Sequence, residues 1–297
     1  MIGIVTVLYN SAPVLEDFFR TLNDQTYKDF VLYVIDNKSK DNSLDEADKL
    51  SKAVDFKTVI LPQDTNWGIA KGNNIGIEAA LKDNCEYILL SNNDIVLEKT
   101  AIEELLNGLL SEKASLVVPK IYYWNMDRII WMVGGDFRWL RVRTNHIGGG
   151  EKDQGQYNFN SIREYAPTCF MLIESNVFNR VGMMDEKYFV YFDDTDFVWR
   201  AVKKGNERLC YIFKSIIYHK VSFSTGGGAS EFTQKLMFRN VVYFSLKHFN
   251  YLHCFCVFLY LFFKFILKDF WTQPLKNSLT ELSCYKEGVN LYRNLYK

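Results

Sequence analysis

Through residue 119 the chain alternates short, continuous apolar runs with longer stretches in which apolar positions recur every three or four residues. The runs, rich in Val and Ile, fall at residues 2–8, 30–35, 56–61, 87–90 and 116–119, and helical spacing fills 14–22, 44–53, 69–81 and 101–110. Strands apolar on both faces, joined by amphipathic helices, predict an α/β domain with a mostly parallel central sheet flanked by helices. Past Pro119 the alternation lapses in a stretch rich in Trp and Gly, which predicts irregular hairpins or loops. Helical spacing returns at 176–181 and 194–203, a strand is expected at 209–213 leading into Ile216-Ile217-Tyr218-His219, and everything from Glu231 onward is helical. Glycine runs at 148–150 and 226–228 have no preferred conformation; the second, just after His219, suits either a lid over a ligand or a plain connector. The expected organisation is one domain over 1–225 and a helical, aromatic-rich extension over 226–297.

Composition narrows the function. With 297 residues, 48% of them hydrophobic, the chain can bury one large core or a core plus an appendage. Lys plus Arg equals Asp plus Glu at 35 each, and no basic run appears, so the footprint of a nucleic-acid binder is missing. The six cysteines include no C-x-x-C pair and no Cys/His spacing that suits zinc, which predicts reduced, buried thiols. The N-terminal Met-Ile-Gly-Ile-Val reads as a strand rather than a signal peptide, so a cytoplasmic location is expected.

Residues 254–263 are unbroken apolar sequence bounded by His253 and Lys264, with Lys268 close by. The run is shorter than the roughly 20 residues a spanning helix needs. Aromatic residues beside lysines suit a helix lying peripherally on the anionic inner face of the cell membrane. A buried helix or a homodimer interface is the alternative.

Ligands of parallel sheets bind beyond the carboxyl ends of the strands. There the chain places Tyr9-Asn10-Ser11, Asp36-Asn37-Lys38-Ser39, Asp64-Thr65-Asn66-Trp67-Gly68 and Ser91-Asn92-Asn93-Asp94, all polar. The first of these turns has no glycine, which excludes a dinucleotide fingerprint and a P-loop. Asp94, at the end of a central strand among amides, can hold a hard divalent cation while leaving positions for phosphate oxygens, although Asn-Asp is also a common turn. In 64–76, three glycines, a lysine and several polar groups open a helix, where backbone N–H groups favour an anion; Gly72 and Gly76 mark close approach to a ligand or a neighbouring strand. Asp193, Asp194 and Asp196 sit within Tyr-Phe-Val-Tyr-Phe-Asp-Asp-Thr-Asp-Phe-Val-Trp, costly surroundings for charge unless it is paired, bound to a cation or protonated.

Taken in order, Val-Thr-Val-Leu-Tyr-Asn at 5–10, Ile-Asp-Asn-x-Ser at 35–39, Asn-x-Gly-x-Ala-x-Gly-Asn-Asn at 66–74, Asn-Asn-Asp at 92–94 and Asp-Asp-Thr-Asp-Phe at 193–197 resemble the inverting glycosyltransferases of family 2, and closest the rhamnosyltransferase-like members that build bacterial surface polysaccharides. The resemblance covers about 2–224 and implies a GT-A fold, with a nucleotide-sugar half over about 1–120 and an acceptor half over about 121–225. It implies that Tyr9, Asn10, Asp36 and Asn66 line the nucleotide base and ribose, and that Gly68, Lys71, Asn92 and Asn93 belong to the donor site. Asp94 would be the metal ligand, for Mg2+ or Mn2+, with Asn92 in place of the motif's first carboxylate and His219 completing the shell. Asp194 would be the general base, Asp193 would position acceptor or base, and Asp196 would be structural. The implied reaction moves a sugar from dTDP-rhamnose or a UDP-hexose to a hydroxyl of a lipid-linked or oligosaccharide acceptor. A sugar nucleotidyltransferase and a non-catalytic glycan-binding module are the competing readings; the first lacks its phosphate loop, and against the second Asp94, Asp194 and His219 are all present.

Overall fold

The structure, a computed structural model, describes residues 1–220, 231–272 and 276–295, with side chains for all of these except 231, 262, 264–272 and 276–282. The glycine loop at 222–230, expected as a lid or connector, and the side chains of Lys264 and Lys268 lie outside the described residues.

The predicted alternation is present: β1 (Ile2–Leu8), α1 (Ala12–Asn23), β2 (Phe30–Asp36), α2 (Ser43–Ser51), β3 (Lys57–Pro62), α3 (Gly68–Lys82) and β4 (Tyr87–Ser91). These strands pair in parallel in the spatial order β3-β2-β1-β4, and β1 and β2 are buried along nearly their whole length. β3 is less buried than its apolar run suggested, because it forms the sheet edge. The short β5 (Ile95–Leu97) and α4 (Ala101–Ser111) lead to β6 (Leu116–Tyr123), and the Trp- and Gly-rich stretch supplies β7 (Ile130–Met132), the hairpin β8 (Gly135–Arg138) and β9 (Arg143–His146), and β10 (Ser161–Ile162). The glycines at 148–150 form a hydrogen-bonded turn, with Gly150 N–H donating to the Ile130 carbonyl at 2.8 Å.

β11 (Phe170–Glu174), which the periodicity did not single out, inserts antiparallel between β4 and β6. It is followed by α5 (Ser175–Val181), α6 (Asp193–Val198), a π-helical turn at Trp199–Lys204, and β12 (Leu209–His219). The two apolar segments expected at 209–213 and 216–219 are one strand whose register shifts between Ile212 and Ile216. β12 runs parallel to β6 and antiparallel to β5 and β10, so the central sheet has ten strands among the described residues. This is a mixed α/β fold with a central, mostly parallel sheet flanked by helices.

The C-terminal helices α7 (Glu231–His248), α8 (Tyr251–Thr272) and α9 (Lys276–Arg293) pack beside the second half of the domain. A second apolar cluster joins Tyr243 and Phe244 of α7 and Val257 and Leu261 of α8 to Val142, Tyr188 and Phe192. Among the described residues no helix is long and apolar enough to cross a membrane.

Gly72 and Gly76 meet a neighbouring strand. A Cβ at Gly76 would overlap the side chains of Val5 and Ile35, and one at Gly72 would press on Val7. Gly76→Ala is therefore expected to cost about 1–3 kcal/mol of stability through overpacking, read as a lower urea midpoint with an unchanged slope; an unchanged midpoint would show that α3 is not held this tightly against the sheet.

Candidate active site

Sheet register builds the first half of the site. Asp94 lies between β4 and β5, and antiparallel pairing of Ile95 with His219 carries the end of β12 to it across 125 positions of sequence. His219 Nε2 sits 3.1 Å from Asp94 Oδ1, both residues are buried, and Lys220 N–H donates to the Asp94 carbonyl at 2.8 Å. Burial alone would raise the Asp94 carboxyl; the hydrogen bond and charge of His219, with help from Asp94's own backbone and from Asn92, outweigh it and hold the group below the ordinary carboxylate range.

The donor chemistry suits one divalent cation. Two ligands of an octahedral ion at about 2.1 Å bonds stand about 3 Å apart, and a carboxylate oxygen and an imidazole nitrogen have that spacing here. His219 Nδ1 is buried without a hydrogen-bond partner, so the ring's polar capacity is not used up by the protein. Among the described residues no third His, Cys, Asp or Glu joins the pair, which leaves Asn92, substrate oxygens and water to complete a shell.

Beside Asp94 opens a cavity of about 450 Å³. Of the sequence-predicted residues, Tyr9, Asn66, Gly68, Asn92, Asn93 and Asp94 line it. Asn10, Asp36, Lys71, Asp193, Asp194 and His219 are not among its lining residues. Asn10 is exposed and its Oδ1 accepts from Lys40 N–H at 2.8 Å; the Asp36 carboxylate accepts from Ser39 N–H at 3.2 Å; Lys71 reaches Glu186 at 3.5 Å and lies over the Trp67 ring. Asn93 donates to the Val7 carbonyl at 2.8 Å and so fastens its turn to the end of β1. Asn37, named in its strand-end turn but given no role, also lines the cavity; its Nδ2 donates to the Gly68 carbonyl at 2.9 Å and its Oδ1 is a buried acceptor without a partner.

The start of α3 is less free for an anion than its glycines implied. Gly68 N–H donates to Asn66 Oδ1 at 2.9 Å and Ile69 N–H to the Phe189 carbonyl at 2.6 Å. Gly68 has φ +83°, and a Cβ there would overlap the Phe189 carbonyl, so only glycine lets the 189–191 segment form the opposite wall.

That wall is strained. Phe189, Tyr191 and Phe192 have φ of 66°, 64° and 67°, a region that bulky side chains adopt only when surrounding structure enforces it. Asn240 of α7, fully buried, supplies much of the enforcement: its Nδ2 lies within 2.8–3.3 Å of the carbonyls of Tyr188, Val190 and Tyr191. Its neighbour Arg239 donates to the Tyr188 carbonyl at 2.7 Å.

The strained segment delivers the acidic cluster to the start of α6. Asp196, fully buried, receives Tyr188 Oη–H at 3.1 Å, Arg200 Nε–H at 2.8 Å, Lys247 Nζ at 2.7 Å and His248 Nε2 at 2.7 Å. It ties α6 to α7. Asp194 is half-buried; its Oδ2 accepts from Tyr165 Oη–H at 2.5 Å and its Oδ1 from Thr195 N–H at 2.6 Å. Burial and the neighbouring Asp194 charge push Asp193 up to about 8.

The two halves approach one another around Cys169 and Trp131. The Cys169 thiol is raised first by burial and then by the charges of both Asp94 and Asp194, and its carbonyl accepts from Asn92 N–H at 2.7 Å. Trp131 stands edge-on between the rings of His219, 4.7 Å away, and His146, 4.6 Å away. Burial lowers His146, opposed by the Asp194 charge and reinforced by His219. Tyr165, His146 and Cys169 were not singled out from sequence, because they fall in a region without periodicity; an isolated Tyr, His or Cys there offers no signal.

The family model for Glycosyl transferase family 2 matches residues 3–181, and the chain belongs to that family. It is 27% identical over 194 residues to glycosyltransferase GlyG of Streptococcus pneumoniae serotype 4, a match covering 64% of this chain and 62% of that protein. It is 25% identical over 201 residues to the dTDP-rhamnosyl transferase RfbF of Shigella flexneri, covering 68% of this chain and 63% of that one. These matches span somewhat less than two thirds of either relative. The fold matches the crystal structure of GalNAc-T7 with UDP, GalNAc and Mn2+ at a TM-score of 0.63 and 14% identity, over 82% of this chain and 47% of that one. The expected family and GT-A fold are thereby confirmed.

Two measurements check this geometry. Asn240→Ala strips donors from buried carbonyls and is expected to destabilise the protein by about 2–4 kcal/mol, seen in urea unfolding; a loss below that of an ordinary surface substitution would show that α7 does not hold the strained wall. Unfolded Asp193 ionises near its ordinary 3.8, whereas the folded protein keeps that proton up to about 8. Between those values the folded state binds more protons, so stability falls as pH rises. Asp193→Asn should therefore gain stability over the parent chain increasingly as pH climbs through that window, and a pH-independent difference would contradict the assignment.

Proposed function

We propose that the chain is an inverting glycosyltransferase that moves a hexosyl or deoxyhexosyl group from a nucleoside diphosphate sugar, dTDP-rhamnose or a UDP-hexose, to a hydroxyl of a lipid-linked glycan in surface polysaccharide synthesis. The carrying observation is the pair of carboxylate sites gathered around Cys169: Asp94 with His219 beside a cavity of about 450 Å³, and Asp194 oriented by Tyr165 and Thr195. The dTDP-rhamnosyl transferase relative and the UDP complex of the structural neighbour support a nucleotide-sugar donor.

In this reading the donor's base and ribose lie against Tyr9, Asn37 and Asn66, where the unpartnered Asn37 Oδ1 can accept from the nucleotide. Asp94 and His219, with Asn92, would hold Mg2+ or Mn2+, which when bound offsets charge on the departing diphosphate. The acceptor hydroxyl attacks the anomeric carbon from the face opposite the diphosphate. Its proton passes to Asp194, a new carbon–oxygen bond forms, and the bond to the diphosphate oxygen breaks with inversion. A positioned base of this kind contributes about a hundredfold to ten-thousandfold. Tyr165 and Thr195 occupy both Asp194 oxygens with donors, which fixes the carboxylate's orientation. Asp193, carrying its proton at neutral pH, can donate to an acceptor oxygen rather than compete for its proton. Such an enzyme would work at the cytoplasmic face of the cell membrane.

Asp194→Asn is expected to bind the donor with unchanged affinity, by titration calorimetry with nucleotide sugars in the presence of manganese, while transfer falls by about a hundredfold or more. Near-parental transfer by this variant would remove Asp194 as the base, and absence of binding by any nucleotide sugar would overturn the transferase reading itself.

A further inference from the structure

The β8–β9 hairpin carries a combination that stability alone does not explain. Arg138 and Arg143 face each other across the antiparallel register, both exposed, with exposed Arg141 in the turn between them. Like charges directly opposite on a strand pair are unfavourable. No acidic residue occurs between Phe137 and Gly150 to relieve them. The same turn holds Trp139 and Leu140 out in solvent, 55% and 41% exposed. Its conformation is enforced from below: Val142, a β-branched residue, is held at φ 46° and is fully buried in the cluster with Tyr188, Phe192 and Phe244.

Helix α8 lies alongside this turn. His253 stacks edge-on against Trp139, with ring centroids 4.7 Å apart. One face of α8, with Cys254, Val257 and Leu261, is buried, and the other presents Tyr251, Leu252, Phe255 and Leu259, exposed by 42–96%. Those four positions fall within about a third of the helical circumference at 3.6 residues per turn. Six large apolar side chains and three arginines thus stand exposed on two elements, far apart in sequence, that meet where His253 touches Trp139. Exposed apolar side chains clustered in this way mark an interaction site.

We propose that the β8–β9 turn and the outer face of α8 together dock on an anionic phospholipid bilayer, Trp139, Leu140, Tyr251, Leu252, Phe255 and Leu259 entering the headgroup region while Arg138, Arg141 and Arg143 engage lipid phosphates. The arginines decide between occupants. A second copy of this chain brought onto the patch by two-fold symmetry would offer the same residues, none of them acidic, and so no counter-charge for the arginines, whereas an anionic leaflet satisfies all of them. The hairpin also connects the surface to the reaction centre, since Gly135 at its base pairs with Tyr165, whose hydroxyl donates to Asp194 at 2.5 Å. The proposal deepens the reading of a lipid-linked acceptor given above, but its test does not depend on catalysis.

The test is co-sedimentation of the full chain with vesicles of phosphatidylcholine alone or mixed with phosphatidylglycerol. Binding is expected to the mixed vesicles, weakened by salt and nearly lost on phosphatidylcholine. Arg138→Ala and Arg141→Ala should each weaken it by about fivefold, and Trp139→Ala combined with Phe255→Ala by about tenfold or more. These variants alter exposed side chains, so unchanged thermal unfolding and nucleotide-sugar affinity would show that the fold and donor site are intact. The proposal fails if the parent chain does not bind mixed vesicles, if the variants bind as well as the parent, or if sedimentation shows instead a dimer that the same variants dissociate. Vesicle binding without any nucleotide-sugar binding would support the docking surface while rejecting the transferase reading.

Discussion

A carboxylate with no access to water governs this structure. Asp196 is fully buried, and its charge is tolerated only because Arg200, Lys247, Tyr188 and His248 converge on it. Lys247 also meets Asp185 at 2.6 Å, so two cations face two carboxylates in a closed set. Removing one member of such a buried set strands the others, a loss of about 3–5 kcal/mol. The partners come from the segment before α6, from α6 and its π-helical extension, and from α7, so the hub forces these elements to meet. It braces the stretch of α7 from which Arg239 and Asn240 hold the segment that carries three bulky residues at positive φ.

From that constraint the site follows in order. The strained wall offers the Phe189 carbonyl to the start of α3, which closes one side of the cavity beside Asp94. Asn74 fastens the preceding segment to α3, accepting from Met184 N–H at 3.0 Å and donating to the Met184 carbonyl at 2.9 Å. The next residues present Asp193 and Asp194 in different surroundings: the first is buried, where burial and the Asp194 charge push it up to about 8, and the second is half-buried and oriented by donors. The C-terminal helices therefore support the candidate site, even though none of the expected catalytic groups lies on them.

The first half of the fold was readable because parallel strands buried on both faces leave unbroken apolar runs, and the helices between them leave amphipathic ones. The acidic cluster was readable because charge among aromatics is rare. Other features left little trace. The five residues of β11 follow a stretch without periodicity, and their antiparallel insertion between β4 and β6 is a matter of pairing. Lys71 and Asn74 sit in a motif that resembles a ligand loop, yet they reach Glu186 and Met184, contacts that appear only once the second half of the chain has folded onto the first. Asn240 was invisible because a single Asn in a helical pattern does not reveal that it faces three strained carbonyls.

In the proposed reaction, Asp94 with His219 and Asp194 with Tyr165 serve the two ends of one bound donor. A crystal structure with a nucleoside diphosphate sugar and manganese, phased to show the metal's anomalous signal, tests it most directly. Manganese is expected at Asp94 and His219, the nucleotide in the cavity lined by Tyr9, Asn37 and Asn66, and the anomeric carbon exposed toward Asp194. A nucleotide bound elsewhere, or a sugar pointing away from Asp194, would contradict it.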